Sequence, residues 1–186
     1  METLREIIRA VRRTVKVERP FAGVYPAFWK VPEQTAFTSS KYAAKLRERA
    51  MAARAAGSLD RDILGGTQAL KVLLPTVAAM LRRNGEMLRI LDFGGGAGND
   101  ANLLSGLPGL NFSYHVVDLV PVIAVGREVW TDDPRVTFST ELPAGPEFDL
   151  VYAWSAIHYV DEPMALLDSF AAYNSGGGPS RLPSGR

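Results

Sequence analysis

The sequence predicts an α/β fold built on a doubly wound parallel sheet. From residue 88 onward, short apolar strands alternate with helical patterns; a glycine-rich turn directly follows the first strand; and an acid, Asp118, closes the second strand twenty residues beyond Gly98. Alternation of this kind is the signature of parallel strands joined by helical crossovers. The chain has 186 residues, 47% hydrophobic and 22% charged, with a formal net charge of +1, which describes one globular domain with appendages. No apolar run approaches the roughly 18 residues a spanning helix needs, so a cytoplasmic protein is the expectation. The absence of cysteine excludes disulfides, thiolate metal sites and cysteine nucleophiles, and no other metal-ligand cluster is legible.

Taken in order, residues 1–19 place Leu4, Ile7, Ile8, Val11 and Val15 on one helical face and Arg5, Arg9, Arg12, Arg13 and Lys16 around the rest. Such a basic amphipathic helix either docks on its own domain or touches an anionic membrane surface or a partner. Docking is favoured because Glu2, Glu6 and Glu18 dilute the charge. A nearly neutral chain argues against nucleic-acid binding. Residues 20–29 are irregular, proline-punctuated and rich in aromatics, as in a segment that covers a site or pins the entry chain to the core. Ser39 or Ser40 caps a helix running to about Ala56 and closed by Gly57. A second helix is expected from Thr67 to Arg83, kinked or divided at Pro75. Together residues 1–86 read as an N-terminal helical cap over the cleft of the domain at 87–173.

Leu88 to Leu91 is apolar enough for a buried parallel strand, with Asp92 at its tip. Gly94, Gly96 and Gly98 then allow a sharp turn and a close approach to a ligand, and the helix that follows offers free N–H groups and a positive dipole end. A carboxylate at Asp92 repels a pyrophosphate and suits an ammonium or hydroxyl donor. Asp-x-Gly-x-Gly-x-Gly after a strand resembles the first motif of class I S-adenosylmethionine (SAM) dependent methyltransferases. That resemblance implies a Rossmann-like fold, with SAM as cofactor, the acid and glycine turn against its methionine moiety, and Asp118, ending the strand Phe112 to Asp118, on its ribose hydroxyls. Gly96, Gly98 and Ala101 also fit the Gly-x-Gly-x-x-Ala form of a dinucleotide loop. An NAD-type oxidoreductase ranks lower, because that frame leaves Phe93, Gly94 and Gly95 as an unexplained extension.

A helix at Val120 to Trp130 and strands at Arg135 to Phe138 and Phe148 to Trp154 complete four to five strands of an incomplete sheet. Ligands in such sheets sit at the carboxyl ends of the strands, where Asp92, Asp118 and the stretch after Tyr152 converge. Residues 147–163, with Phe148-Asp149-Leu150-Val151 and then Ser155-Ala156-Ile157-His158-Tyr159-Val160, resemble the fourth strand and following turn of many small-molecule methyltransferases. The resemblance makes Trp154, Ser155, His158 and Tyr159 substrate-facing. His158 is the one candidate general base, since an ordinary imidazole titrates near pH 6.5, whereas His115 lies inside a strand as packing. Ser139-Thr140-Glu141 stands where many relatives carry an Asp-containing segment beside adenine, which leaves the adenine contacts open.

No Asn/Asp-Pro-Pro-Tyr follows the fourth strand, which argues against methylation of DNA bases or protein glutamine. With Gly23-Val24-Tyr25 near its start, the Asp92-Phe93-Gly94-Gly95 loop and Ile157-His158-Tyr159, the stretch of roughly residues 20–170 further resembles a poorly characterised bacterial methyltransferase family associated with surface-polysaccharide gene clusters, which implies a sugar or glycan-precursor acceptor. After a helix at Met164 to Tyr173, residues 174–186 have a Gly/Ser/Pro linker's composition, expected to be disordered. A seven-strand sheet is then expected to be cut short, as a fragment, a frameshift or a natural truncation. The fourth strand would have a bare flank and a tendency to homodimerise or aggregate. The alternative function is a non-catalytic SAM-binding or interaction protein that keeps the cofactor half without a closed acceptor site.

Overall fold

A computed structural model of the chain describes residues 35–56, 72–81, 85–145 and 148–173, all within one compact unit, Gln34–Arg186. The amphipathic helix expected at 1–19, the aromatic segment at 20–29 and the tail at 174–186 lie outside the described residues. After a 3-10 turn at Thr35–Thr38 come helix α1 (Ser40–Ala56), helix α2 (Leu73–Leu81), strand β1 (Leu88–Phe93), helix α3 (Ala101–Ser105) and strand β2 (Phe112–Val117). Helix α4 (Val120–Val129), strands β3 (Val136–Ser139) and β4 (Leu150–Tyr152), a 3-10 turn at Ile157–Tyr159 and helix α5 (Pro163–Ala172) follow. The strands form one parallel sheet in the order β3-β2-β1-β4, the Rossmann-like arrangement expected.

Local chemistry accounts for the helix starts. Ser39 caps α1, its Oγ accepting the Tyr42 N–H at 3.2 Å. Pro75 lies in the first turn of the described helix α2, where its missing N–H has no intrahelical acceptor to lose, so the expected kink is not needed there. Pro121 and Pro163 stand likewise at the starts of α4 and α5.

The pleat sorts the sheet into two faces. Even-numbered positions, Ile90, Phe112, Tyr114, Val116, Val136 and Phe138 among them, are buried in one apolar cluster with residues from α1, α2, α3 and α4. Odd-numbered positions face the other way, and there Leu91 and Val117 pack with Phe148 and with Leu166, Phe170 and Tyr173 of the α5 segment. Toward β3 that second face turns polar. His115 Nε2 lies 2.8 Å from Ser139 Oγ and Nδ1 2.8 Å from Thr137 Oγ1. Because Ser139 Oγ donates to Glu141 O, it accepts from Nε2–H, which leaves Nδ1 to accept from Thr137. The neutral ring is thus satisfied as it stands, and burial holds its pKa below the ordinary value. His115 therefore packs and pairs within the sheet, as its strand position implies.

β1 is longer than its apolar run. It continues through Asp92, paired with Val116 and Tyr152, to Phe93, so the acid is inside the strand and not at its tip. β3 and β4 are the edges of the sheet among the described residues. β4 keeps only three paired residues, shorter than the expected Phe148 to Trp154. No described helix is long and apolar enough to cross a membrane.

Candidate functional site

The glycine loop leaves β1 at Gly94, whose N–H donates to Val117 O at 2.8 Å, and Gly94, Gly96 and Gly98 all have positive φ. Glycine adopts that backbone without the penalty a side chain would carry. The close approaches that require it are internal. A Cβ on Gly94 would run into Ala156, one on Gly95 into the Asp92 carboxylate, and one on Gly98 would press on Trp130 Nε1 at 3.0 Å and Phe138 at 3.2 Å. Only at Gly96 does the same direction open onto free space within the loop.

The helix after the loop is less than expected. α3 has five residues, and the N–H groups of Ala101, Asn102 and Leu103 already donate to Gly98, Asn99 and Asp100 carbonyls at 3.1–3.2 Å. Tight turn bonds consume the donors that a longer helix would present, so the N-terminal dipole site is absent here. Trp130, 3% exposed, anchors the loop instead, its Nε1–H donating to Ala97 O at 2.9 Å.

Asp118 meets the open glycine. Its Oδ2 accepts the Gly96 N–H at 2.8 Å and its Oδ1 accepts the Leu119 N–H at 2.7 Å. Burial pushes its carboxyl above the usual value, while those two N–H groups pull it back. Asp92 goes the other way. It is 1% exposed, lies beneath Gly95, and its Oδ2 accepts the Tyr114 O–H at 2.5 Å. Tyr114, Tyr152 and Asp100 are buried around it. Burial, then the Asp92 and Asp100 charges, raise the Tyr114 phenol; burial, then Asp100 and Asp92, raise that of Tyr152. Both phenols therefore stay protonated, and that of Tyr114 donates to the buried Asp92 carboxylate.

Beyond β4 the chain turns through Ser155, the one non-glycine with positive φ (56°) among the described residues. Strain of this kind gathers where a site needs a particular backbone. A cavity of about 450 Å³ opens there, lined by Ser155, Ala156, Ile157, His158, Val160 and Pro163. Ala156 is the residue that abuts Gly94, so this turn rests on the glycine loop. The His158 ring lies 4.0 Å from that of Tyr159, and among the described residues no hydrogen bond orients it. Tyr159 in turn meets Phe37 edge-on at 5.7 Å, and Phe37 meets Tyr42 at 5.3 Å. Asp118 lies close enough to Tyr42 to raise its phenol, second to burial. An aromatic chain thus runs from the end of β2 to the turn after β4. Trp154 is 37% exposed beside the same turn.

The structure therefore brings Gly96 to Asp118 and Gly94 to the turn carrying Ser155, His158 and Tyr159, while Asp92 is held under the loop. Sequence reasoning missed Tyr114, Tyr152, Asp100, Trp130, Phe37 and Tyr42. Tyr114 carried a signal, because it shares Asp92's even-numbered face one strand over. Phe37 and Tyr42 carried none, since their partners are distant in the chain.

A family model described as a methyltransferase domain matches residues 42–178. No curated protein matches the chain. Among solved structures, similarity extends to the plantazolicin methyltransferase BpumL in complex with SAH, at 15% identity over 75% of this chain and 51% of that one, TM-score 0.48. It extends also to SAM-bound CalS10, an amino pentose methyltransferase from Micromonospora echinaspora, at 18% identity over 72% and 52%, TM-score 0.44. The chain spans about half the length of these two proteins.

Proposed function

The chain belongs to the methyltransferase-domain family, a class I fold whose cofactor is S-adenosylmethionine, and from that premise we propose that it methylates a small-molecule acceptor, in particular a sugar or surface-glycan precursor. The observation that carries this reading is the meeting of Gly96 and Asp118 at the carboxyl ends of β1 and β2. The residues there fit SAM. Gly96 has open space where a side chain would project, and Asp118 beside it is an acceptor suited to ribose hydroxyls. They fit a dinucleotide less well, because the Ala101, Asn102 and Leu103 N–H groups at the helix start, where a pyrophosphate would bind, already donate to Gly98, Asn99 and Asp100.

SAM supplies an electrophilic methyl group on a sulfonium, so the protein's task is to bind, orient and exclude water. Asp118 and the glycine loop hold the cofactor in this account. The turn Trp154 to Tyr159 holds the acceptor, and His158 takes the acceptor's hydroxyl proton at its free ring nitrogen. The cavity volume of about 450 Å³ is that of a small-molecule site. Ser155 and His158 offer polar contacts, and the exposed Tyr159 and Trp154 offer aromatic faces on which the C–H face of a sugar ring can lie. A non-catalytic SAM-binding role is the second reading, favoured because among the described residues no hydrogen bond orients His158.

Calorimetric titration with SAM and SAH, with NAD as control, is the test. Saturable SAM binding in or below roughly the millimolar range, without NAD binding, supports the assignment. A folded protein that ignores SAM and SAH refutes it. Methyl transfer in a sugar-acceptor screen, lowered by His158→Ala with SAM affinity unchanged, separates the enzyme from the mere binder.

A further inference from the structure

Asp92 is the sole acid inside β1, yet at 1% exposure it does not face open space, and what holds it in place is a residue the motif does not include. Tyr114 is fully buried on the same sheet face, and its hydroxyl donates to Asp92 Oδ2 at 2.5 Å. The register explains the meeting. Asp92 pairs with Val116 and Ile90 with Tyr114, so Tyr114 lies diagonal to Asp92 and its long ring carries the hydroxyl across. Above the carboxylate sits Gly95, which has no room for a Cβ because Asp92 occupies that space. The next residue, Gly96, donates to Asp118. A continuous contact path therefore runs from Tyr114 through Asp92 and Gly95 to the Gly96–Asp118 pair.

We infer that Tyr114 is a positioning residue for the cofactor site: its hydroxyl fixes the Asp92 carboxylate, which in turn props the glycine loop at the height that lets Gly96 meet Asp118. The inference rests on the SAM-binding reading above and names a determinant of that site. The other titratable groups facing Asp92 are Tyr152 from β4 and Asp100 ahead of α3, and neither changes when Tyr114 does.

The experiment is a double-mutant cycle on SAH affinity with Tyr114→Phe and Asp92→Asn, with unfolding free energies measured alongside. Phenylalanine keeps the ring packing and removes only the hydroxyl. Tyr114→Phe should weaken SAH by roughly tenfold, the scale of a hydrogen bond to a charged group. A Tyr114 that served packing alone would lower the unfolding free energy and leave SAH affinity unchanged. In the Asp92→Asn background the same substitution should change affinity little, since its target is already neutral. Equal SAH affinity in wild type and Tyr114→Phe would overturn the inference and leave the SAM reading intact. Wild type that fails to bind SAH would overturn both. If Tyr114→Phe does not fold, the wild type decides: its slowly exchanging Tyr114 hydroxyl proton should shift in the NMR spectrum on adding SAH, and an unmoved signal overturns the role.

Discussion

Gly94 and Gly96 share a left-handed backbone, yet only one of them has room for a side chain, and this separates two kinds of constraint within one motif. Gly96→Ala meets no neighbour and carries conformational strain alone, about 1–2 kcal/mol. Gly94→Ala carries that strain and also drives Ala156 away, so it should cost about 1–3 kcal/mol more and disturb the turn after β4. Denaturant unfolding of the two variants checks the order, and equal losses would show that the loop yields at Gly94. Asp118→Ala removes the acceptor for the Gly96 N–H and, on the proposed reading, for the ribose hydroxyls, so SAH titration should show affinity reduced by about tenfold or more. His115 sets a pH dependence. Its folded pKa lies below its unfolded value, so its stabilising contribution is complete above about pH 6.5 and is lost as pH falls through the lowered value. Unfolding free energies measured between pH 7.5 and 5 should fall for wild type more than for His115→Gln. The site at this scale was half legible: glycines with positive φ have local causes, but the Asp92–Tyr114 bond joins residues 22 positions apart and depends on strand register.

Helices α1 and α4 lie together, and the contacts between them are of unequal worth. Arg47 pairs with Glu128 at 2.8 Å, but both side chains are over two-fifths exposed, so Arg47→Ala should change stability by less than about 1 kcal/mol. Arg54 is more enclosed. Its guanidinium lies 4.0 Å from the Trp130 ring centroid and pairs with Asp132 at 2.5 Å. Trp130 passes this support to the loop through the bond to Ala97 O. Trp130→Phe leaves that buried carbonyl without its donor and should cost about 1–3 kcal/mol, with SAH affinity falling alongside. Thermal melts of the Arg47 and Trp130 variants test the contrast, and similar melting temperatures would argue that Trp130 serves as packing alone. Element order and type were readable because apolar runs, caps and prolines act locally. The end of β1 was not, since Asp92 looks like a terminator until its hydrogen-bonding phenol is placed beside it.

Across the whole unit the two sheet faces are covered unequally. Among the described residues, four helices share one face, while α5 alone serves the other through Leu166, Phe170 and the adjoining Tyr173. Leu166 is fully buried, so Leu166→Ala should cost about 2–5 kcal/mol, a large part of the 5–15 kcal/mol that domains typically possess. A loss under about 1 kcal/mol in denaturant unfolding would mean that α5 adjusts freely. The sequence by itself determined the α/β class, the element order, the glycine loop and the acid after β2, because periodicity, glycine conformational freedom and strand-end chemistry act over a few neighbouring residues. Only the tertiary structure decided that Asp92 is buried under the loop and that Gly96 meets Asp118. It alone also joined Phe37 to Tyr159, because pairings across strands and between distant turns are fixed by register and packing, which no local pattern encodes.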